Sequence, residues 1–460
     1  MEGAMMALAE AARVLGAHLV GADGHFSGVS TDSRAIKHGE LFVALRGERF
    51  DGHAFLDAAR AAGAGGAMVD GAYRGPAPLP LLVVDDTKRS LGELARSWRA
   101  RFDPVLTAIT GSNGKTTTKE MLASILRRHA GDDRVLATAG NLNNDIGVPL
   151  TLLRMRAEHR YCAIELGMNH KGEIACLAGM VRPTIALVNN AQREHLEFMG
   201  SVEEVAQENA SVYAALPDDG TAVVNSDDAH SAVFRRAAGS HRVVDFGLGE
   251  GVAVGGRYEL KQLSSEIRVR TPSGEAHATL AIPGLHNVRN ALAAAACALA
   301  AGIAPGAIGE GLSAFRPYVG RLQVKRAAHG TTVIDDSYNA NPDSVRAAID
   351  ILAGCPEPTL LVLGDMGEVG ERGPEFHREI GAYARGRGVS ALLALGEASR
   401  GAVEAFGPAG VHAASLEGLL EEVRGRATTG ATILVKGSRF MRMERVVTAL
   451  TGEPAREGAH

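Results

Sequence analysis

The turn Gly111-Ser112-Asn113-Gly114-Lys115-Thr116-Thr117 joins a strand-like run to a helix-like run, and this junction limits the fold more than any other stretch. Before it, Val105-Leu106-Thr107-Ala108-Ile109-Thr110 is apolar and β-branched. After it, Met121, Leu122, Ile125 and Leu126 recur at helical spacing. A strand that feeds a glycine turn and then a helix aims backbone N–H groups and a helix N-terminus at one point, which suits a phosphate. Lys115 adds a full positive charge, and the Thr116 hydroxyl is placed to ligate magnesium. A Cβ at Gly111 or Gly114 would block the turn and the approach of the phosphate. The general phosphate-loop pattern has an earlier glycine where Ile109 stands, so the shorter form Gly-x-x-Gly-Lys-Thr is what this chain carries.

A length of 460 residues implies about three domains at roughly 150 residues each. The 48 basic and 53 acidic residues leave a net charge of −5, which excludes a global basic field for nucleic acid. Anionic ligands must then be held by local sites. Cys162, Cys176, Cys297 and Cys355 are scattered with no Cys-x-x-Cys pair, which argues against zinc and disulfides and for a reducing compartment. The N-terminus carries Glu2 and Glu10 without a basic head or long apolar core, unlike a secretion signal. The longest apolar run, residues 291–301, is alanine-rich and too short for a bilayer, which takes about 20 residues. It reads as a buried helix, and the whole as a soluble cytoplasmic protein, with nothing demanding more than a monomer.

The pattern divides the chain in three. Residues 1–84 read as a small α/β unit ending in a proline-rich loop, 74–80, and a strand, 81–84. A connecting helix is expected over 91–101. Strand candidates at 105–110, 135–137, 161–164, 185–188 and 222–224 alternate with helical stretches, the pattern of a doubly wound parallel sheet. Over 252–282 the pattern changes to alternating strands with turns, a small antiparallel addition. Strands at 331–334, 360–363, 392–395 and 432–435 predict a second parallel sheet with crossover helices. The tail from Thr451 is rich in glycine, proline and charge, and is expected to fray.

Ligands of open α/β sheets bind beyond the carboxyl ends of the strands. In the second unit those ends carry the glycine turn, Asn141-Leu142-Asn143-Asn144-Asp145, Glu165, and Asn189-Asn190 leading to His195. Glu165 and His195 are candidates for a second magnesium position opposite Lys115, and the carboxylate suits a hard cation better than the imidazole. In the third unit the ends carry Asp335-Asp336-Ser337-Tyr338-Asn339, Gly364-Asp365, Gly396-Glu397 and Lys436-Gly437-Ser438-Arg439, which together predict a second ligand crevice. Asn341-Pro342-Asp343-Ser344 reads as a helix start. In the first unit, Thr31-Asp32-Ser33-Arg34 and Arg49-Phe50-Asp51-Gly52-His53 mix donors with a guanidinium, which suits a phosphate or a base edge.

Together these residues resemble the Mur ligases, the ATP-dependent amide ligases of peptidoglycan precursor synthesis. The resemblance spans nearly the whole chain. It rests on Thr110 to Thr117, Glu165, His195, His286-Asn287-x-x-Asn290 and Gly320-Arg321, with further signatures at 140–149, 335–342, 363–368 and 435–439. It implies a small N-terminal α/β domain (1–84) for a UDP-substrate, a central P-loop ATPase-like domain (85–316) with a doubly wound parallel sheet and a small antiparallel addition, and a C-terminal Rossmann-like α/β ligase domain (317–460). It implies ATP and Mg2+, and as small-molecule substrates a UDP-muramoyl tripeptide and D-alanyl-D-alanine. The implied ATP site is Gly111, Ser112, Asn113, Gly114, Lys115, Thr116, Thr117, Asn287, Arg321 and Asp336. Thr116 and Glu165 would hold metal, His195 would sit in a second metal site, and Lys115, Glu165, His195 and Lys436 would carry the chemistry. Thr31, Asp32, Ser33, Arg34, Arg49, His53, Asn143 and Asn144 would bind the UDP-substrate.

One departure stands out. The family usually places a carbamate-bearing lysine shortly before a Leu-Pro turn. Counting from Leu216-Pro217, that position is Asn209, with no lysine nearby. Either Glu208 or Asn209 supports the second metal, or Glu165, His195 and water hold it. The rival readings are another ligase of this fold, acting on a different muramoyl peptide or on folate, and a protein that binds ATP without ligating anything. A dehydrogenase reading of the third unit fails for want of a Gly-x-Gly-x-x-Gly turn.

Overall fold

The computed structural model describes residues 4–47, 50–327 and 330–453. Three sheets follow one another along the chain. The first has the order His18–Val20, Leu81–Val84, Gly66–Asp70, Leu41–Val43, Val29–Ser30, parallel except where His18–Val20 runs against Leu81–Val84. The connecting helix is Thr87–Arg99. It starts earlier than the apolar spacing predicted because the Asp86 side chain accepts the N–H of Arg89 and caps it. This helix seals the seam between the first and central units. The Trp98 indole donates to the Met155 carbonyl (3.0 Å), and the buried Arg99 guanidinium donates to the carbonyls of Val181 and Arg182.

The central sheet is fully parallel in the order Val135–Ala137, Tyr161–Glu165, Val105–Thr110, Ile185–Val188, Thr221–Asn225, Arg242–Phe246. The last of these strands was not predicted from the sequence. The alanine-rich run lies in the helix Leu285–Ala300, and its small side chains are buried, which lets helix and sheet approach closely. The antiparallel addition is a three-stranded sheet of Gly255–Leu260, Ser265–Thr271 and Gly274–Leu280. In Ser265–Thr271 every second residue is buried, so Ile267 and Val269 face the core while Glu266, Arg268 and Arg270 face water.

The third sheet has the order Gln323–Arg326, Thr332–Asp336, Thr432–Lys436, Thr359–Gly364, Ala391–Leu395, Gly410–Ala413. Its five later strands are parallel, and Gln323–Arg326 adds an antiparallel edge that the sequence did not signal. The helix Pro342–Ala353 begins as read, with Asn341 and Ser344 forming a reciprocal capping box. One apolar cluster is continuous from Ile109 and Met121 through Val288 and Leu292 to Ile351 and Leu361, so the central and third units share packed surface. No helix among the described residues is long and apolar enough to cross a membrane.

Candidate active site

The strand order of the central sheet reverses beside Val105–Thr110, because the chain first fills one flank and then the other. Ligand crevices form at such a switch point, and the glycine turn leaves the sheet there. Gly111 and Gly114 have φ of +131° and +77°. A Cβ at Gly114 would lie 2.3 Å from the Asn290 Oδ1 atom, so this position requires glycine on both counts. The loop is braced from the neighbouring strand end. Ser112 and Asn113 donate their N–H groups to the Asn190 carbonyl and Oδ1 (3.0 and 2.8 Å), and the side-chain amides of Asn189 and Asn190 donate to the Asn113 carbonyl. These two N–H groups are therefore spent on shaping the loop. The donors left for a phosphate are those of the first turn of Lys115–Ala130, which have no intrahelical acceptor. Lys115 Nζ rests on the carbonyls of Gly111 (2.5 Å) and Ser112 (2.9 Å), 3.4 Å from a Glu194 carboxylate oxygen.

Glu165 closes the strand Tyr161–Glu165 and is buried. Its Oε1 accepts the Thr116 hydroxyl (3.2 Å) and the Asn143 amide (2.8 Å), while its buried Oε2 has no partner among the described residues. A carboxylate with one unsatisfied buried oxygen beside a threonine hydroxyl and a phosphate-binding turn fits a hard cation with oxygen ligands. Among the described residues no group of three or more His, Cys, Asp or Glu side chains forms a ready-made metal cluster. Magnesium at this corner would draw its remaining ligands from phosphate and water.

The opposite wall comes from the third unit. One cleft is lined by the glycine turn, Asn287, Arg321, Asp336 and Lys436. Register places Asp336 directly beside Lys436 on adjacent strands. Lys436 Nζ donates to Asp336 (2.6 Å) and to the Asn339 carbonyl (2.9 Å), and burial pulls its ammonium below the usual range against the pull of Asp336. Asn287 is buried, donating to the Pro283 carbonyl and accepting from Asn290. His286 beside it is drawn down to about 4 by burial, with Lys436 and Arg289 adding to the effect, so it is neutral at pH 7. The Arg321 guanidinium lies 4.1 Å over the Tyr338 ring.

Several contacts across the two units had no local signal. The Asn113 and Asn341 amides exchange hydrogen bonds (2.9 and 3.3 Å), tying the glycine turn to the cap of Pro342–Ala353. Arg193 pairs with Asp343 (2.6 Å) and Glu379 (2.8 Å). His195, at φ +52°, holds its Nδ1 2.7 Å from Glu368, itself at φ +59°, and its Nε2 3.6 Å from Glu194. The ring thus faces two carboxylates.

Other predicted residues are placed differently from expectation. His53 is buried; its Nδ1 meets Asp51 (2.6 Å) and its Nε2 accepts the N–H of Asp70 (3.1 Å), so both nitrogens brace the domain rather than face a ligand. The Asn144 side-chain Oδ1 accepts the N–H groups of Ile146 and Gly147, whereas Asn143 reaches Glu165. Glu208 is committed to the N–H groups of Gly172 and Ile174 at the start of Glu173–Val181, which removes it as a metal support. Asp365 accepts the N–H groups of Ala398 and Ser399, so the Gly364-Asp365 and Gly396-Glu397 ends bind each other rather than open a crevice. Asp32 and Arg34 form a two-point ion pair on an exposed turn near Thr31 and Ser33. Arg49 lies outside the described residues.

Comparison with known proteins follows the same three units. Residues 25–99 match the Mur ligase family catalytic domain, residues 109–298 the Mur ligase middle domain, and residues 320–439 the Mur ligase glutamate ligase domain. The chain belongs to the Mur ligase family. An Escherichia coli (strain K12) Mur ligase, the UDP-N-acetylmuramoyl-tripeptide–D-alanyl-D-alanine ligase, is 40% identical over 96% of this chain and 98% of its own. Among solved structures, the UDP-N-acetylmuramoylalanyl-D-glutamyl-2,6-diaminopimelate–D-alanyl-D-alanyl ligase of Acinetobacter baumannii is 34% identical, with a TM-score of 0.86 over 96% of this chain and 97% of that one. The MurF ligase of Thermotoga maritima, solved in complex with ADP, shares the fold with a TM-score of 0.79 at 24% identity, over 92% of this chain and 96% of that one.

Proposed function

We propose that this Mur ligase joins D-alanyl-D-alanine to the terminal carboxylate of a UDP-N-acetylmuramoyl tripeptide, converting ATP to ADP and phosphate, as a step of peptidoglycan precursor synthesis. The observation that carries the reading is the single cleft in which the glycine turn and Asn287 face Asp336 and Lys436 of the third unit. A nucleotide sensor has no use for a second domain's buried ion pair above its phosphates, whereas a ligase must bring a second substrate there.

The reaction needs two transfers. A carboxylate is a poor electrophile, so its oxygen first takes the γ-phosphoryl group, giving an acyl phosphate and ADP. The dipeptide amine then attacks the acyl carbon, the nitrogen loses a proton, and phosphate leaves. Lys115 and the first-turn N–H groups offset charge on the transferred group. Magnesium, held by the Thr116 hydroxyl and the free Glu165 oxygen, would supply further neutralisation of the phosphates. Asn287, Arg321 and Asp336 border the nucleotide, and the contacts of Arg193 and Asn113 with the third unit keep water from the acyl phosphate. In this reading residues 1–84 bind the UDP part, 85–316 bind ATP and 317–460 complete the ligase site. In the same reading the protein works as a cytoplasmic monomer.

Three outcomes test these assignments. Incubation with ATP and both substrates is expected to give a product heavier by the dipeptide less one water; a mass shift with a different amino acid would move the pathway step. Arg34→Ala is expected to raise the KM for the UDP-substrate more than that for ATP, and the reverse pattern would contradict the first-unit assignment. Activity is also expected to be independent of bicarbonate. Asn209 is buried, accepting the Thr110 hydroxyl (2.7 Å) and donating to the Val205 carbonyl (2.9 Å), and it has no amine to carry a carbamate. Full inactivation on removal of carbon dioxide, reversed by adding it back, would contradict this.

A further inference from the structure

An ammonium has three N–H donors. Around Lys115 the carbonyls of Gly111 (2.5 Å) and Ser112 (2.9 Å) take two of them, and a Glu194 oxygen at 3.4 Å faces the third. The two carbonyls belong to the glycine turn itself. Glu194 comes from the loop that follows the neighbouring strand Ile185–Val188, and its side chain is only 10% exposed. Its other oxygen lies 3.6 Å from His195 Nε2. A carboxylate beside the ammonium that must meet a phosphate repels the same anion. The reaction as described so far gives that carboxylate no part.

The loop that carries Glu194 is held alternately from two sides. Gln192 and Glu194 line the nucleotide cleft and face the glycine turn. The Gln192 side-chain oxygen accepts the Asn113 amide (2.6 Å), and its N–H donates to the Ser112 hydroxyl (2.9 Å). Arg193 and His195 reach the third unit instead. The Arg193 N–H and guanidinium donate to Asp343 (2.9 and 2.6 Å), the guanidinium also donates to Glu379 (2.8 Å), and His195 Nδ1 lies 2.7 Å from Glu368. The Glu194 N–H donates to the Gln192 carbonyl (2.8 Å), which closes a three-residue turn centred on Arg193. Glu194 thus has a neighbour on each side pinned by the third unit, and its carboxylate has little freedom of its own.

On the reading of function given above, we propose that Glu194 is a positioning residue for Lys115. It aims the third N–H of the ammonium into the cleft, where the transferred phosphate arrives, and it does so through the third unit's hold on Arg193. The phosphate replaces the carboxylate on that N–H. The two turn carbonyls keep the other two, so the ammonium meets the phosphate already aligned, as a preorganised donor does. The carboxylate weakens nucleotide binding in the ground state, and the alignment it enforces appears in turnover.

The test compares the full-length enzyme with Glu194→Gln, Arg193→Gln and the double variant, by peptide product formed at saturating substrates and by titration with ADP. Glutamine keeps the shape of the Glu194 side chain. Without the guanidinium, Asp343 still accepts the N–H of residue 193 and Glu379 still accepts Arg346, so both variants should fold. Glu194→Gln is expected to lower kcat about tenfold, the scale of one charge-assisted contact, while Kd for ADP falls about threefold. A merely structural lesion would weaken ADP binding instead. Arg193→Gln is expected to lower kcat about fivefold with Kd for ADP unchanged, and the double variant to stay within about twofold of Glu194→Gln, because Arg193 acts through Glu194. Unaltered kcat or weaker ADP binding in Glu194→Gln would overturn the proposal. So would losses that multiply in the double variant, which would make the two residues independent. No peptide product from the unaltered enzyme would refute the ligase reading itself, a result distinct from any difference among the variants, and this proposal with it.

Discussion

Replacing Lys115 with alanine is expected to lower turnover about a hundredfold or more, the scale of losing one preorganised charge-stabilising donor. The ammonium stands at the turn, on the Gly111 and Ser112 carbonyls and 3.4 Å from Glu194, so a short swing of a flexible stem carries it to a phosphate. The N–H groups of Ser112 and Asn113 do not take over its role, because they are bonded to Asn190. The bonds of Asn189 and Asn190 to Asn113 also brace the loop and survive the change, so ADP should still bind to the variant. Near-normal turnover at saturating substrates would mean that Lys115 does not contact the transferred phosphate.

Glu165→Gln is expected to cost about a hundredfold to a thousandfold in kcat/KM, and to raise the magnesium concentration needed for half-maximal activity. The amide keeps the shape and one acceptor for Thr116 and Asn143, so the change isolates charge from packing. A cation that neutralises phosphate is worth several kcal/mol in the transition state, and each 1.4 kcal/mol is about tenfold in rate. An unaltered magnesium dependence would show that the free Oε2 of Glu165 is not a metal ligand.

What the sequence made legible was local. The glycine turn could be read because glycine, lysine and threonine at fixed spacing impose one backbone path between a strand and a helix. The alternation in Ser265–Thr271 and the cap at Asn341 could be read for the same reason: period and propensity act within a few residues. What stayed hidden depends on how distant segments pack. Arg193 and Glu368 carry no local signal in the sequence, and they gain meaning only when the third unit lies against the central one. His53 and Asn144 failed in the opposite sense. Polar residues in loops suggested ligand contact, and the folded chain uses them to satisfy its own backbone N–H groups. The antiparallel edge Gln323–Arg326 was missed because a short, half-buried run with a single apolar residue carries no period.

Phosphate release from ATP tests the central claim most directly, measured with the UDP-muramoyl tripeptide and D-alanyl-D-alanine each added alone and then together. Sustained release only with both substrates, at one phosphate per peptide bond formed, is the expected result. Sustained release with the tripeptide alone would mean that the acyl phosphate is open to water and that the third unit does not shield it. No release under any combination, with ATP still bound, would contradict the ligase account and leave a nucleotide-binding protein in its place.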